Sequence, residues 1–157
     1  MKVCTMDHID KKLLRLLQEN ARYSLKQLSE RVYLSSPAVA ARIDKLEREG
    51  VINGYHADAN LDKMGYHITV FINVEMNPKQ KPSFIDFVRE TPNVLECNNV
   101  SGSYSMLVKA AFPSTVDLNR FIDQVQKYGA TETHIVFSTP IPARGIIKIE
   151  ADETEEK

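Results

Sequence analysis

Tryptophan is absent from this 157-residue chain, and cysteine occurs only twice, at Cys4 and Cys97. Two cysteines so far apart give neither a disulfide framework nor the paired spacing of a metal site. Glycine and proline are sparse, six and seven residues, and no low-complexity tract interrupts the chain. Long apolar runs are missing as well. No segment approaches the length of a membrane span, and the opening M-K-V-C-T-M-D has no apolar core for a signal peptide. The expectation is a soluble, reduced, cytoplasmic protein with no membrane partner, no metal and no cofactor. Charge of one sign is lacking too: 20 Lys+Arg against 21 Asp+Glu leave a net of −1. The overall charge therefore does not announce a nucleic-acid partner.

The charge that is present is unevenly spread. Residues 1–65 carry 11 basic against 9 acidic side chains, and residues 66–157 carry 9 against 12. Much of the second imbalance sits in an acidic tail of Glu150, Asp152, Glu153, Glu155 and Glu156. A chain of this length suits one domain or two small ones with a real core.

The N-terminal part reads as helical throughout. From Asp7 to Glu19, Ile9, Leu13, Leu16 and Leu17 share one face while Lys11, Lys12 and Arg15 face outward. Ser24 caps a second helix with Gln27 in the capping-box position and with Leu25, Leu28 and Val32 facing in. After a turn at Tyr33 to Ser35, Ser36-Pro37 is expected to open a third helix that Gly50 ends. Three helices with a short turn between the last two make a helix-turn-helix unit. Along the third, Val39, Ile43 and Leu46 form an apolar stripe, and Ala40, Asp44 and Glu47 a largely acidic face.

Ala38, Ala41, Arg42 and Lys45 make a third face of small and basic residues, which suits a recognition helix in a major groove of double-stranded DNA. The residues expected to meet DNA are Arg22, Lys26, Ser35, Ser36, Ala38, Val39, Ala41, Arg42 and Lys45. Arg42 is the first choice for a base edge, because a guanidinium bridges two guanine acceptors. Ser35 and Ser36 at the helix start should meet phosphate, as should Lys45, Lys26 and Arg22. Each basic residue alone could be a solvated surface charge; their grouping on one face favours DNA.

Beyond Gly65 the period changes from helical to alternating. Ile68, Val70, Ile72, Val74 and Met76 alternate with polar neighbours in a strand, and a helix follows from Pro82 to Glu90. Strands over 94–100 and 104–112 flank a hairpin turn at Ser101-Gly102-Ser103, a helix begins after Ser114, and a last strand runs over 130–138. The order β-α-β-β-α-β is the ferredoxin-like arrangement, an antiparallel sheet with both helices on one face. The fold class is therefore α+β, with a helix-turn-helix domain over 1–53, a linker with an extended strand over 54–65, a ferredoxin-like domain over 66–139 and an extension over 140–157. Phe71, Leu107, Ala111 and Val136 fall on the sheet face that the two helices leave open, which suggests a homodimer.

The stretches Asp7–Arg22, Leu28–Val32, Leu34–Tyr55 and Val94–Ser105 resemble the Lrp/AsnC family of transcription regulators, with the run L-S-S-P-A-V-A-A-R-I-D-K-L-E-R-E-G-V-I-N-G-Y carrying most of the likeness. The resemblance implies a DNA-binding regulator that dimerises, often assembles to a tetramer or octamer, and often senses amino acids. It also implies an effector loop, here Gly102-Ser103-Tyr104-Ser105, with Asn98 beside it. Two departures stand out. Tyr33 occupies a turn position where glycine is usual, and Ser105 stands where the loop usually has aspartate, so the acid is exchanged for a hydroxyl that cannot pair with a cation. An architectural DNA-wrapping protein without an effector is the alternative within DNA binding. A sensor acting on a protein partner is the alternative outside it. Catalysis through Cys97 with His56, His67 or His134 finds no motif to place the groups together.

Overall fold

The structure, a computed structural model, describes residues 5–146. Cys4 and the acidic residues of the tail lie outside the described residues. The chain divides into two units, one of residues 5–57 with 141–146 and the other of 58–140.

Each helix of the first unit starts where a side chain answers its free N–H groups. Asp7 caps α1 (His8–Glu19) in a capping box with Asp10, and Ser24 caps α2 (Leu25–Val32) in a second box with Gln27. For α3 (Ser36–Arg48) the cap is Ser35, which accepts from the Ala38 N–H at 3.4 Å. The expected start at a Ser36 cap is thus corrected by one residue: Ser36 lies inside the helix, and its hydroxyl bonds Ser29 Oγ at 3.4 Å. Leu13, Leu16, Leu28, Val32 and Val39 form the core of the three helices. Leu25 does not join it; it stands exposed on the first turn of α2. Ile52 packs below, and the Val51 and Ile52 N–H groups both donate to the Leu46 carbonyl past Gly50, whose φ of +69° closes α3.

The turn between α2 and α3 is strained. Tyr33 has φ 55° and ψ 43°, the left-handed conformation that glycine adopts freely and other residues rarely do. It lets the Leu34 N–H reach the Ser29 carbonyl at 3.2 Å and closes α2 in the manner of a glycine cap. The ring itself is 88% exposed, with Lys12 Nζ 5.6 Å from its centre.

Residues 53–60 carry no regular secondary structure, and Asp62–Met64 make one turn of 3-10 helix, so the strand expected in the linker does not form within the single chain. The second unit then follows the expected order: β1 (Ile68–Met76), α4 (Lys81–Glu90), β2 (Val94–Asn99), β3 (Met106–Phe112), α5 (Thr115–Val125) and β4 (Gly129–Ile135). The sheet order is β2-β3-β1-β4 with all neighbours antiparallel. Register puts Val70, Ile72 and Val74 with Ala110, Val108 and Met106 on one face, where Phe84, Val88, Leu118, Phe121 and Val125 from the two helices cover them. Gly129 is required where β4 begins, because a Cβ there would run into the Glu75 carbonyl. On the opposite face lie Phe71 across from Lys109, Leu107 across from Asn73, and Ala111 across from Thr69; the Val136 N–H bonds the Thr69 carbonyl. No helix of the second unit covers these residues, but Ala111 is 1% exposed, so the expectation that it lies open is corrected.

Replacing Tyr33 by glycine is expected to raise stability by about 0.5–1 kcal/mol, because relief of the left-handed strain exceeds the lost contact with Lys12. Urea denaturation of the two proteins measures it, and a loss of stability would show that the turn is not strained.

Candidate nucleic-acid interface

The N-terminus of α1 does more than start a helix. Its capping box turns two carboxylates toward α3: the Asp10 N–H donates to Asp7 Oδ1 at 2.8 Å, and the Asp7 N–H reaches Asp10 Oδ2 at 3.4 Å. Arg42 Nη1 then lies 2.6 Å from both Asp7 Oδ2 and Asp10 Oδ1, and Lys45 Nζ lies 3.5 Å from Asp10 Oδ2. Asp10 is 1% exposed, and a buried carboxylate needs such partners. Asp7 is its open counterpart, with about half of its side chain in solvent. Partial burial pulls the Asp7 carboxyl up. The Asp10 N–H, the Arg42 hydrogen bond and the Arg42 charge outweigh this and hold it below the usual carboxylate range. Hydrogen bonds to Asp7 and then Asp10 likewise raise Arg42 above its ordinary value.

This arrangement changes the reading of the recognition helix. Val39 is fully buried and serves the core, so the sequence expectation that it meets DNA is corrected. In the unbound chain one guanidinium nitrogen of Arg42, Nη1, is shared by two carboxylates, and its side chain is 30% exposed. Ser36 is turned toward Ser29, whereas Ser35 is exposed. The outermost ridge of α3 is Pro37, Ala41, Asp44 and Arg48, with Ala38 and Lys45 half-buried beside it. Arg48, whose Nε donates to the Asp44 carbonyl at 3.3 Å, was not expected at the interface, although its spacing of i+7 from Ala41 carries the signal. Arg22 and Lys26 are exposed around the start of α2, and Arg31 lies over the Tyr23 ring at 4.4 Å. Tyr55 OH donates to Glu47 at 2.9 Å and ties the residues after α3 back to the helix. Burial first, then Glu47 and Asp44, push its phenol up to about 12.

The residues expected at an effector loop surround the β2–β3 connection. Asn98 is exposed, and its amide donates to Glu96 Oε1 at 2.7 Å. Gly102, at φ +109°, and Ser103 are exposed, while Tyr104 and Ser105 are half-buried and the Ser105 carbonyl accepts from the Val100 N–H at 2.9 Å. A cavity of about 410 Å³ lies between α4 and β2, floored by Ile85, Val88, Val94 and Met106 and rimmed by Lys81 and Arg89; none of the five effector-loop residues lines it. Cys97 lines that cavity, and burial pushes its thiol up, away from the reactive thiolate. The sheet separates it from His134, whose strand register places it on the open face. Among the described residues no group of three metal-binding side chains occurs, and no helix is long and apolar enough to cross a membrane.

Asp10→Ala is expected to destabilise the helical unit by about 1–2 kcal/mol, because it removes the charged acceptor of Arg42 and Lys45 and one half of the α1 capping box. Asp10→Asn, which keeps the capping acceptor, should lose less. Urea titration followed by helical circular dichroism decides this; a change below about 0.5 kcal/mol for Asp10→Ala would contradict the role. Asp7 adds an acid limb. A carboxyl with a depressed folded pKa contributes stability above its unfolded value of about 3.9 and loses it as pH falls through the lower folded value. Asp7→Asn should flatten stability against pH below about 4.

Comparison with known proteins finds two family models along the chain. Residues 6–53 match winged helix-turn-helix DNA-binding domains, and residues 69–146 match the Lrp/AsnC ligand binding domain. The described residues of the first unit contain the helices without a strand to form a wing. A transcriptional regulator of Bacillus subtilis, YezC, is 37% identical over 134 residues, covering 85% of this chain and 95% of its own length. The regulator LrpA of the same organism is 33% identical, covering 83% and 97%. The regulator NMB0573 of Neisseria meningitidis, solved as a complex with L-Met, superposes with a TM-score of 0.82 at 28% identity, covering 89% of this chain and 94% of that one. With its capped helix-turn-helix, its four-stranded sheet and these relatives, the chain belongs to the Lrp/AsnC family of DNA-binding transcriptional regulators.

Proposed function

We propose that α3 enters the major groove along its ridge of Pro37, Ala41 and Arg48, with Ala38 allowing close approach and Lys45 at the flank. This reading is supported by the exposed small surface of Ala41 on the outer ridge of α3, between the exposed Pro37 and Arg48. Ser35, Arg22 and Lys26 contact backbone phosphates, and Arg42 joins only after its carboxylate partners yield. Because one recognition helix alone binds weakly, two are supplied by a homodimer formed through the open sheet face of Phe71, Leu107 and Val136. Further assembly to a tetramer or octamer extends the same principle. A regulator of this kind acts in the cytoplasm, on the chromosome.

The arginine clamp favours a second reading. With Arg42 occupied, phosphate contacts outweigh base contacts, and the protein acts as a low-specificity DNA-wrapping element. Long, helically phased nuclease protection supports this reading; a compact operator supports the first. Under either, Lys26→Ala should weaken binding to all sequences alike and reduce the slope of log K against log salt by about 0.9, and an unchanged slope would remove Lys26 from the interface.

We also propose an amino-acid effector, supported by the match to a ligand binding domain and by the L-Met complex of the Neisseria relative. The loop of Gly102, Ser103, Tyr104 and Ser105, with Asn98, holds it. Ser105 offers a hydroxyl to the ligand and leaves its ammonium to be met by another group. A thermal-shift screen of the twenty amino acids tests this. A ligand at a hundred times its Kd adds about 2.7 kcal/mol to stability, so a binder raises the melting temperature. A flat screen would overturn the effector reading.

A further inference from the structure

The four charges at the α1–α3 junction cancel. Asp7 and Asp10 face Arg42 and Lys45, so two of the cations nearest the recognition surface are neutralised from within the unit. The two acids are not equivalent. Asp10 is sealed from solvent and holds both Lys45 and Arg42, while Asp7 holds only Arg42 and has about half of its side chain in water. An approaching phosphate or base edge reaches Arg42 from the solvent side, where Asp7 sits. It cannot displace Asp10 without exposing a buried anion and disturbing the α1 capping box.

We propose that Asp7 is an intramolecular competitor of DNA for Arg42. In the free protein it shares Arg42 Nη1 with Asp10, on binding a DNA acceptor takes its place there, and Asp10 keeps the guanidinium aimed throughout. Asp7 thereby lowers affinity for DNA and removes one cation from the phosphate-binding count. It acts through Arg42 and is a positioning residue, not a DNA contact. The inference rests on the reading that α3 faces DNA.

Asn caps a helix as well as Asp, so Asp7→Asn removes the charge and keeps the start of α1. Full-length wild type, Asp7→Asn, Arg42→Gln and the double variant are titrated with a random-sequence duplex over a range of salt. The exposed Glu30→Gln serves as a control for the general effect of losing one negative charge. Asp7→Asn should bind about two- to fivefold more tightly at low salt. Its slope of log K against log salt should steepen by about 0.9, the signature of one more phosphate neutralised. Arg42→Gln in the same chain should erase the gain, whereas the Glu30→Gln gain should survive it. Unchanged affinity and slope in Asp7→Asn, or a gain that persists without Arg42, overturns the proposal. So does loss of helical circular dichroism in both Asp7→Asn and the alternative cap Asp7→Ser, because Asp7 would then be a structural strut. Wild-type binding that ignores salt overturns instead the reading beneath it, that this surface faces DNA.

Discussion

A carboxylate sealed from water has to be matched by positive charge, and in this chain that requirement ties the recognition helix to the helix before it. Asp10 meets it with Arg42 at 2.6 Å and Lys45 at 3.5 Å. The two cations sit three residues apart on α3, so both can reach one anion only when α3 holds one roll and one height against α1. Apolar packing through Leu13, Leu28 and Val39 supplies the driving force but tolerates small slides; the charge contacts do not. The cost is that the residues best suited to attract DNA are already paired. Exposed cations outside this pairing, among them Arg22 and Lys26, lie around the start of α2.

The second unit rests on a different asymmetry. Two helices can cover only one face of a four-stranded sheet, and the buried aromatic contacts of Phe84, Phe87, Phe112, Phe121 and Tyr128 all lie on that side. The other face mixes Phe71, Leu107 and Ala111 with Lys109, whose Nζ is 5.9 Å from the Phe71 ring. A lysine stem laid over an aromatic shields part of an apolar surface while leaving it available to a partner. Phe137, 97% exposed just beyond β4, adds to the apolar surface of this unit.

Much of this was legible in the sequence. Period gave the helices and strands, capping residues gave the start of α2 within a residue, and the order of elements gave the ferredoxin-like topology. The sequence also exposed Tyr33 as the odd residue in its turn, and its left-handed backbone follows. The misses have physical causes. Ser35 and Ser36 are chemically alike as caps, and only the reach of a hydroxyl to the Ala38 N–H separates them. Leu25 fits the helical stripe, but on the first turn of α2 it stands 43% exposed. The linker strand was expected from extended residues, yet a strand needs a ladder partner and the single chain offers none there. What the sequence did not show is the pairing of Arg42 in the unbound chain, because its partners lie more than thirty residues earlier, in an Asp-x-x-Asp pair that reads locally as a capping box.

The central claim is that one buried and one open carboxylate share Arg42, and that only the open one gives way. Carbon-13 NMR of the aspartate carboxyls, with nitrogen-15 observation of the Arg42 guanidinium, follows all three groups during titration with duplex DNA. The Asp7 carboxyl and the Arg42 guanidinium signals should move together while the Asp10 carboxyl stays in place. An Asp10 signal that moves with Arg42, or an Asp7 signal that does not respond while Arg42 does, would contradict it.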